Sequence, residues 1–301
     1  MTTADNTPLR KPDWLRVRLS HTESFGEVKK LIEGQNLHTV CEEAMCPNIH
    51  ECWGKHKTAT FMILGEVCTR CCRFCAVQTG RPAPPDPDEP QRVADSVATM
   101  KLAHVVITMV TRDDLPDGGA RILADTVDAI HATAPDCSVE VLSSDLMGKR
   151  DSIAIVTASA PAINSHNIET VRRLTQQIRS RSDYDRSLSY LEIVKQLDPA
   201  AVTKSSLMLG LGETRDEILT SLDDLRRIDV DVVNLGQYLQ PTRAHAPVVT
   251  YWTPEAFDDL KQEALARGFA YCESGPLVRS SYHAGAQYTA FLESARRRRE
   301  S

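Results

Sequence analysis

The sequence predicts an α/β fold, a full or partial barrel of parallel strands wrapped by helices. Apolar runs of strand length recur at 61–64, 103–110, 137–142, 161–164, 201–209 and 231–236. Segments with helical patterning fall near 89–101, 119–134, 151–157, 169–197, 214–228 and 254–267. Strand then helix, repeated about six times, requires crossover connections and therefore parallel strands. In such barrels chemistry gathers on the loops at the C-terminal ends of the strands, so those loops are where function is sought.

At 301 residues the chain is within reach of one large domain whose core needs no covalent staple. A hydrophobic content of 42%, with 5% aromatic and 25% charged residues, is that of an ordinary soluble globular protein. The 35 basic and 41 acidic residues leave a formal charge of −6, which gives no reason to expect nucleic acid. No apolar run approaches membrane-spanning length, and the N-terminus lacks the basic-then-apolar layout of a secretory signal, so a cytoplasmic location without membrane contact is expected. In that reducing compartment nine cysteines, seven of them between Cys41 and Cys75, argue for metal ligation over disulfides. Cys137 and Cys272 stand apart and read as buried small apolar side chains. The arginine run at 296–299 reads as a solvated tail, with steering of an acidic protein partner as the alternative.

Residues 1–37 are polar and charged, an arm followed by a helix over 24–33 that ends at Gly34. Cys41, Cys46 and Cys52 follow at C-x4-C-x5-C spacing. The apolar run 61–64 then leads into a loop where Cys68, Cys72 and Cys75 stand at C-x3-C-x2-C spacing, with Phe74 before the last cysteine. Residues 80–90 are too proline-dense for helix or inner strand and form a rigid surface connector. The second expected strand runs into Asp113, Asp114, Asp117, Gly118 and Gly119. Those carboxylates suit an ammonium group or ribose hydroxyls, with Asp117 capping the next helix as the alternative. Ser165, His166 and Asn167 after the fourth strand, Lys204 within the fifth, and Gln237, Tyr238 and Gln240 after the sixth suit either ligand contact or structural hydrogen bonding. Gly210 and Gly212 let backbone approach a ligand, but no Lys-Ser/Thr follows, so they do not form a phosphate loop.

Three thiolates on one loop can hold three corners of a cubane iron–sulfur cluster and leave the fourth iron open for chemistry. Structural zinc, the alternative for any cysteine cluster, usually takes four nitrogen or sulfur ligands. The 68–75 loop offers staggered cysteines and no adjacent histidine, whereas at 41–52 a zinc site completed by His38 or His50 stays open. Cys71 interrupts the ligand spacing and reads as a bystander.

The C-x3-C-x2-C loop with an aromatic before its last cysteine resembles the cluster loop of radical S-adenosylmethionine enzymes. C-x4-C-x5-C, C-T-R-x-C-x-F-C and the R-S-S-Y motif at 279–282, in that order, resemble the lipoyl synthase family. So do R-D-D-L at 112–115, D-G-G-A at 117–120, H-N at 166–167, T-K-S at 203–205, G-L-G-E-T at 210–214 and L-G-Q-Y-L-Q-P at 235–241. The likeness spans roughly 10–290.

That resemblance implies a partial (β/α)6 barrel of the radical SAM type over 58–270. It adds an N-terminal extension over 1–57 with an auxiliary cluster loop, and a C-terminal extension over 271–301 with R-S-S-Y and a basic tail. It implies that Cys68, Cys72 and Cys75 hold the 4Fe-4S cluster that binds and cleaves S-adenosylmethionine to a 5'-deoxyadenosyl radical. Cys41, Cys46 and Cys52 would hold an auxiliary 4Fe-4S cluster, with Ser281, in preference to Ser280, on its fourth iron. Asp113, Asp114, His166, Asn167 and Lys204 are the expected contacts to S-adenosylmethionine. In the family the substrate is an octanoyl chain on a lysine of a lipoyl domain of a 2-oxo acid dehydrogenase or of the glycine-cleavage H protein. An electron donor such as flavodoxin or ferredoxin is implied. Two hydrogen abstractions, each using one S-adenosylmethionine, put radicals on the sixth and eighth carbons, and each radical attacks a sulfide of the auxiliary cluster. A hydroxyl is a poorer partner for iron than a thiolate, so the serine corner is the expected point of opening. Met109, Thr111, Ser165 and Ser206 depart from the family's usual residues near the expected mouth, which leaves as the alternative a relative that inserts sulfur into a different substrate.

Overall fold

The computed structural model describes residues 9–17, 22–56 and 59–300, without the side chains of 55, 56 and 294–300. Parts of the expected N-terminal arm, and the side chains of the arginine run, lie outside the described residues. The N-terminal region forms α1 (Glu23–Gly34), β1 (His38–Thr39), α2 (Val40–Glu43) and α3 (Ile49–Glu51). Thr22 and Thr39 start α1 and α2 by accepting the backbone N–H three residues on, the usual work of a threonine at a helix N-terminus.

The barrel follows as β2 (Thr60–Ile63), β3 (Val67–Cys68), β4 (Gln78–Thr79), α4 (Glu89–Met100), β5 (His104–Met109), α5 (Ala120–Thr133), β6 (Ser138–Leu142) and α6 (Arg150–Ala158). It continues as β7 (Ile163–Ser165), α7 (Arg172–Ile178), α8 (Tyr184–Leu197), β8 (Thr203–Leu209), α9 (Arg215–Arg227), β9 (Val232–Gln237), α10 (Pro254–Ala266), β10 (Tyr271–Gly275) and α11 (Ala284–Glu300). Among the described residues the main sheet has the order β1-β2-β5-β6-β7-β8-β9-β10, with β1 antiparallel to β2 and every other pair parallel. β1 and β10 are not paired with each other, so the barrel is partial. Its strands are buried on both faces, as parallel strands covered by helices must be. On β5, Val106 and Thr108 face the interior cavity while Val105 and Ile107 pack outward in the core.

Three elements differ from the sequence expectation. The single helix expected over 169–197 is two, α7 and α8, because Arg179 leaves helical geometry and Asp183 caps a new start by accepting the Arg186 N–H. The break matters, since it turns Arg179 and Ser182 into the cavity. Residues 271–275, assigned above to a C-terminal extension, pair in parallel with β9 as a seventh parallel strand among the described residues. Residues 284–300, expected to end in a loose tail, are helical, and α11 packs against both β10 and β5 across the open side of the barrel. Among the described residues no helix is long and apolar enough to cross a membrane.

After β10 the chain turns back against the inner face of β9. Asn234 donates to the carbonyls of Arg279 and Ser280 at 3.1 and 3.0 Å, and Arg279 donates to the Gln237 carbonyl at 3.2 Å. This approach requires glycine at 236, where a Cβ would stand 2.0 Å from the Val278 carbonyl oxygen. Gly236→Ala is expected to lose about 1–3 kcal/mol of stability through overpacking, read as a lowered thermal midpoint. An unshifted midpoint would show that the 276–284 segment moves away freely.

Candidate active site

One cavity of about 1090 Å³ runs through the barrel, and both cysteine trios, Cys41, Cys46, Cys52 and Cys68, Cys72, Cys75, line it together with Ser280 and Ser281. Each trio is held by a different mechanism. The 68–75 loop leaves β2 through a turn in which Leu64 and Gly65 take φ of +69° and +86°, an unfavourable conformation for leucine. The buried Glu89 carboxylate holds that turn by accepting the Leu64 N–H at 2.7 Å, while Arg112 donates to the Leu64 carbonyl at 3.3 Å. Inside the loop, buried Arg70 forks onto Asp113 at 2.8 and 2.7 Å and onto Asp145 at 2.8 and 2.6 Å. Backbone hydrogen bonds from Arg73 to Ile178 and from Ala246 to Arg73, both 2.8 Å, close the loop over the strand ends.

The 41–52 loop is knitted to the R-S-S-Y segment. Asn48 donates to the Leu277 carbonyl at 2.8 Å, Tyr282 donates to Glu51 at 3.1 Å, and the Thr60 hydroxyl donates to Ser281 Oγ at 2.9 Å. Residues more than 200 positions apart in the chain thus meet at one spot.

Burial, and then the neighbouring thiols, push Cys41 and Cys52 up to about 12. Burial does the same to Cys75, to about 12, and to Cys72, to about 11, although Arg179 opposes it at Cys72. A tetrahedral zinc with bonds of about 2.3 Å needs its sulfurs about 3.8 Å apart. Among the described residues neither trio gathers its three sulfurs within 4.8 Å of one another. The histidines considered for zinc are engaged elsewhere, His38 with Glu43 at 3.7 Å and His50 stacked on Phe25 at 5.0 Å.

Beside the 68–75 loop the cavity carries polar atoms without protein partners. His166 Nδ1 lies 2.9 Å from the Ser143 carbonyl, which can only accept, so Nδ1 holds the proton and Nε2 is an acceptor. That Nε2, the Asn167 amide oxygen and Arg179 Nε are buried with no hydrogen-bond partner among the described residues. Burial and Arg179 pull His166 down to about 4, so it is neutral at physiological pH. Half-buried Glu169, with φ of +64°, lines the same wall and accepts from the Asn167 amide nitrogen at 3.1 Å, and burial raises its carboxyl above the ordinary value. Two unsatisfied buried acceptors beside one cation and one carboxylate describe a site for a ligand with hydroxyl or amine donors and both charges.

Of the residues expected to contact S-adenosylmethionine, His166 and Asn167 line this cavity and Asp113, Asp114 and Lys204 do not. Asp113 is held by Arg70, Asp114 by Arg112 at 2.9 Å, and Lys204 by Glu140 at 3.0 Å. Asp117 caps α5 by accepting the N–H groups of Gly119 and Arg121, each at 2.9 Å. Gly210 and Leu211 give their N–H groups to Glu213, so the G-x-G turn serves its own packing. Gln237, Tyr238 and Gln240 line the cavity, as do Met109, Thr111 and Ser206, whereas Ser165 bonds Glu140 at 2.9 Å in the barrel wall. Cys71 is exposed and does not line the cavity. Glu169, Arg179, Asp145 and Thr60 were missed. Only the closeness of Glu169 to the H-N pair hinted at any of them.

A partial parallel barrel with a three-cysteine loop after its first parallel strand defines the class of radical SAM enzymes. The Radical SAM superfamily pattern matches residues 62–225, more than half of the chain, and that of the N-terminal domain of lipoyl synthase matches residues 2–46. The lipoyl synthase of Halalkalibacterium halodurans is 57% identical over 279 residues, covering 93% of this chain and 92% of its own. That of Shouchella clausii is 56% identical over 279 residues, covering 93% and 90%, and that of Bacillus mycoides 56% over 284, covering 94% and 95%. The chain belongs to the lipoyl synthase family. Among solved structures, methylornithine synthase has a TM-score of 0.56 at 11% identity, covering 82% of this chain and 75% of that one. Streptococcus suis SuiB bound to S-adenosylmethionine has 0.52 at 13%, covering 73% and 49%. These two share the fold alone. The protein is a radical SAM sulfur-inserting enzyme whose cofactors are 4Fe-4S clusters and S-adenosylmethionine.

Proposed function

We propose that this chain inserts two sulfur atoms, at the sixth and eighth carbons, into an octanoyl chain on the lysine of a lipoyl domain of a 2-oxo acid dehydrogenase or of the glycine-cleavage H protein. One observation carries the assignment of ligands: two cysteine trios, drawn from loops that are separate in the chain, face one continuous cavity together with Ser281. In this reading Cys68, Cys72 and Cys75 hold the cluster that engages S-adenosylmethionine. Cys41, Cys46, Cys52 and Ser281 hold the auxiliary cluster. The bound cofactors supply the hydrogen abstraction and the sulfur, chemistry beyond any side-chain acid or base.

The residues of the chain bind, orient and exclude water. Glu169 and Arg179 offer opposite charges to the ammonium and carboxylate of S-adenosylmethionine, and His166 Nε2 and the Asn167 amide oxygen accept from its hydroxyl or amino donors. Asp113, Asp114 and Lys204 act behind this wall, through the ion pairs they make. Apolar stretches such as Met62, Val106, Leu142 and Met208 line the space between the trios and suit an alkyl chain. Residues 9–56 and 276–284 together make the auxiliary site, and the strand at 271–275 belongs to the barrel. The protein works in the cytoplasm with a small electron-transfer protein such as flavodoxin or ferredoxin, and with neither nucleic acid nor membrane.

Iron and sulfide analysis of anaerobically purified Cys41→Ala beside Cys72→Ala tests the ligand assignment. Each variant is expected to lose about half of the iron and sulfide, with different halves lost. If both empty together, or neither loses iron, the two-cluster assignment fails. Octanoylated carrier protein, reductant and S-adenosylmethionine supplied to the wild type should give the dithiolated product, and no product would sink the substrate assignment.

A further inference from the structure

We propose that Thr60 is a positioning residue that holds the Ser281 oxygen in one orientation, and that its hydroxyl, not its shape, does so. The proposal rests on the reading of Ser281 as the fourth auxiliary ligand. Thr60 is the first residue of β2, paired in register with Val106, and is 6% exposed. It is therefore anchored to the barrel, whereas Ser281 comes from the segment that turns back after β10 and meets the 41–52 loop through Asn48 and Glu51. Its hydroxyl makes one hydrogen bond among the described residues, donated to Ser281 Oγ at 2.9 Å.

A hydroxyl carries one proton and two lone pairs. With the Thr60 proton aimed at Ser281 Oγ, one direction around that oxygen is occupied, and the rotation of the serine side chain is limited to orientations that keep the bond. The cavity side of the oxygen stays available to a metal. A donor on a ligating oxygen also draws charge from it, as partners behind metal ligands commonly do. Both effects belong to the hydroxyl. A β-branched residue at the first position of a strand also has an ordinary explanation, since threonine and valine favour pleated backbone and pack against neighbouring strands. That explanation makes the opposite prediction for the two conservative replacements.

Thr60→Val keeps the branched shape and removes the hydroxyl, and Thr60→Ser does the reverse. In anaerobically purified holoenzyme, iron loss from the auxiliary site to a chelator is expected to be roughly 5–10-fold faster in Thr60→Val, about the factor one hydrogen bond is worth, and unchanged in Thr60→Ser. The 57Fe Mössbauer signal of the iron not bound by cysteine should change in Thr60→Val as it does in Ser281→Ala. Thr60→Ala, also without a hydroxyl, should behave like Thr60→Val and covers the case in which valine fails to fold. The proposal is overturned if Thr60→Ser releases iron as fast as Thr60→Val, since packing then explains the residue. It is also overturned if Thr60→Val matches wild type while Ser281→Ala alters the signal, an outcome that leaves the serine assignment standing. If Ser281→Ala leaves the signal unaltered, the serine assignment itself fails and takes the role of Thr60 with it.

Discussion

Lys204→Met is expected to destabilise the folded protein by about 3–5 kcal/mol at neutral pH, the usual cost of stranding one partner of a buried ion pair. Lys204 and Glu140 are each 1% exposed at the side chain and stand 3.0 Å apart in the barrel wall. Ser165 also donates to Glu140 at 2.9 Å, and His104 approaches it at 3.8 Å. Burial pushes the Glu140 carboxyl up, but Lys204 and then His104 outweigh it and hold the group below its ordinary value. A lowered folded-state value means that the contribution of Glu140 to stability is present above its unfolded value, near 4.5, and is lost as pH falls below that. Without the lysine, burial governs, the folded value rises above the unfolded one, and the sign reverses. The penalty is then largest at neutral pH and shrinks on acidification as Glu140 takes up a proton. Urea midpoints of wild type and variant at pH 7 and pH 5 should therefore converge. A constant gap between them, or one below about 1 kcal/mol at pH 7, would show that the pair is not the buried network described here.

The second large effect is expected from Arg70→Met, at the lower end of about 3–5 kcal/mol because Asp145 keeps a second partner in Arg186 at 2.8 Å. Arg70 lies between Cys68 and Cys72, so its two forks tie the cysteine loop to the ends of two strands. Lysine at this position would keep the charge and lose the fork geometry, and Arg70→Lys should recover only part of the stability. Burial pushes the Asp145 carboxyl up, yet Arg70, His166 and Arg186 hold it well below the usual carboxylate range. Its stabilising contribution is thus complete above an unfolded value near 3.8 and is lost only as pH falls through the acid range toward the lowered folded value. Acid unfolding of Arg70→Met should begin at higher pH than that of wild type, followed by circular dichroism. Coincident acid transitions would remove Arg70 from this role.

Particular residues show what could be read before any coordinates. Strand and helix periodicity placed β5, β6, β8 and β9 and the helices α5, α6 and α9 to within a few residues, because each buries a face whose repeat is written locally. The cysteines were legible for a related reason: each trio lies within a dozen residues, and its spacing limits what it can hold. The ion-pair partners were not. Arg70 meets Asp113 and Asp145 at separations of 43 and 75 residues, and Lys204 meets Glu140 at 64, so the carboxylates and the lysine looked free to face a ligand. Beyond the closeness of Glu169 to the H-N pair, Glu169 and Arg179 carried no local signal, because their value depends on a broken helix and on a backbone angle rare for glutamate.

By itself the sequence determined the class of fold, the two cysteine trios and, through its motifs, the family to which the chain belongs. These are properties of short stretches, in which residue type and spacing suffice to state the physics. Only the tertiary structure decided which charged groups face the cavity and which neutralise one another behind it. It also showed that β10 extends the sheet of the partial barrel, that α11 packs against it, and that the Thr60 hydroxyl meets Ser281. The physical reason is that a buried charge takes whichever opposite charge or ligand the fold brings within reach, and that choice is made between residues far apart in the chain.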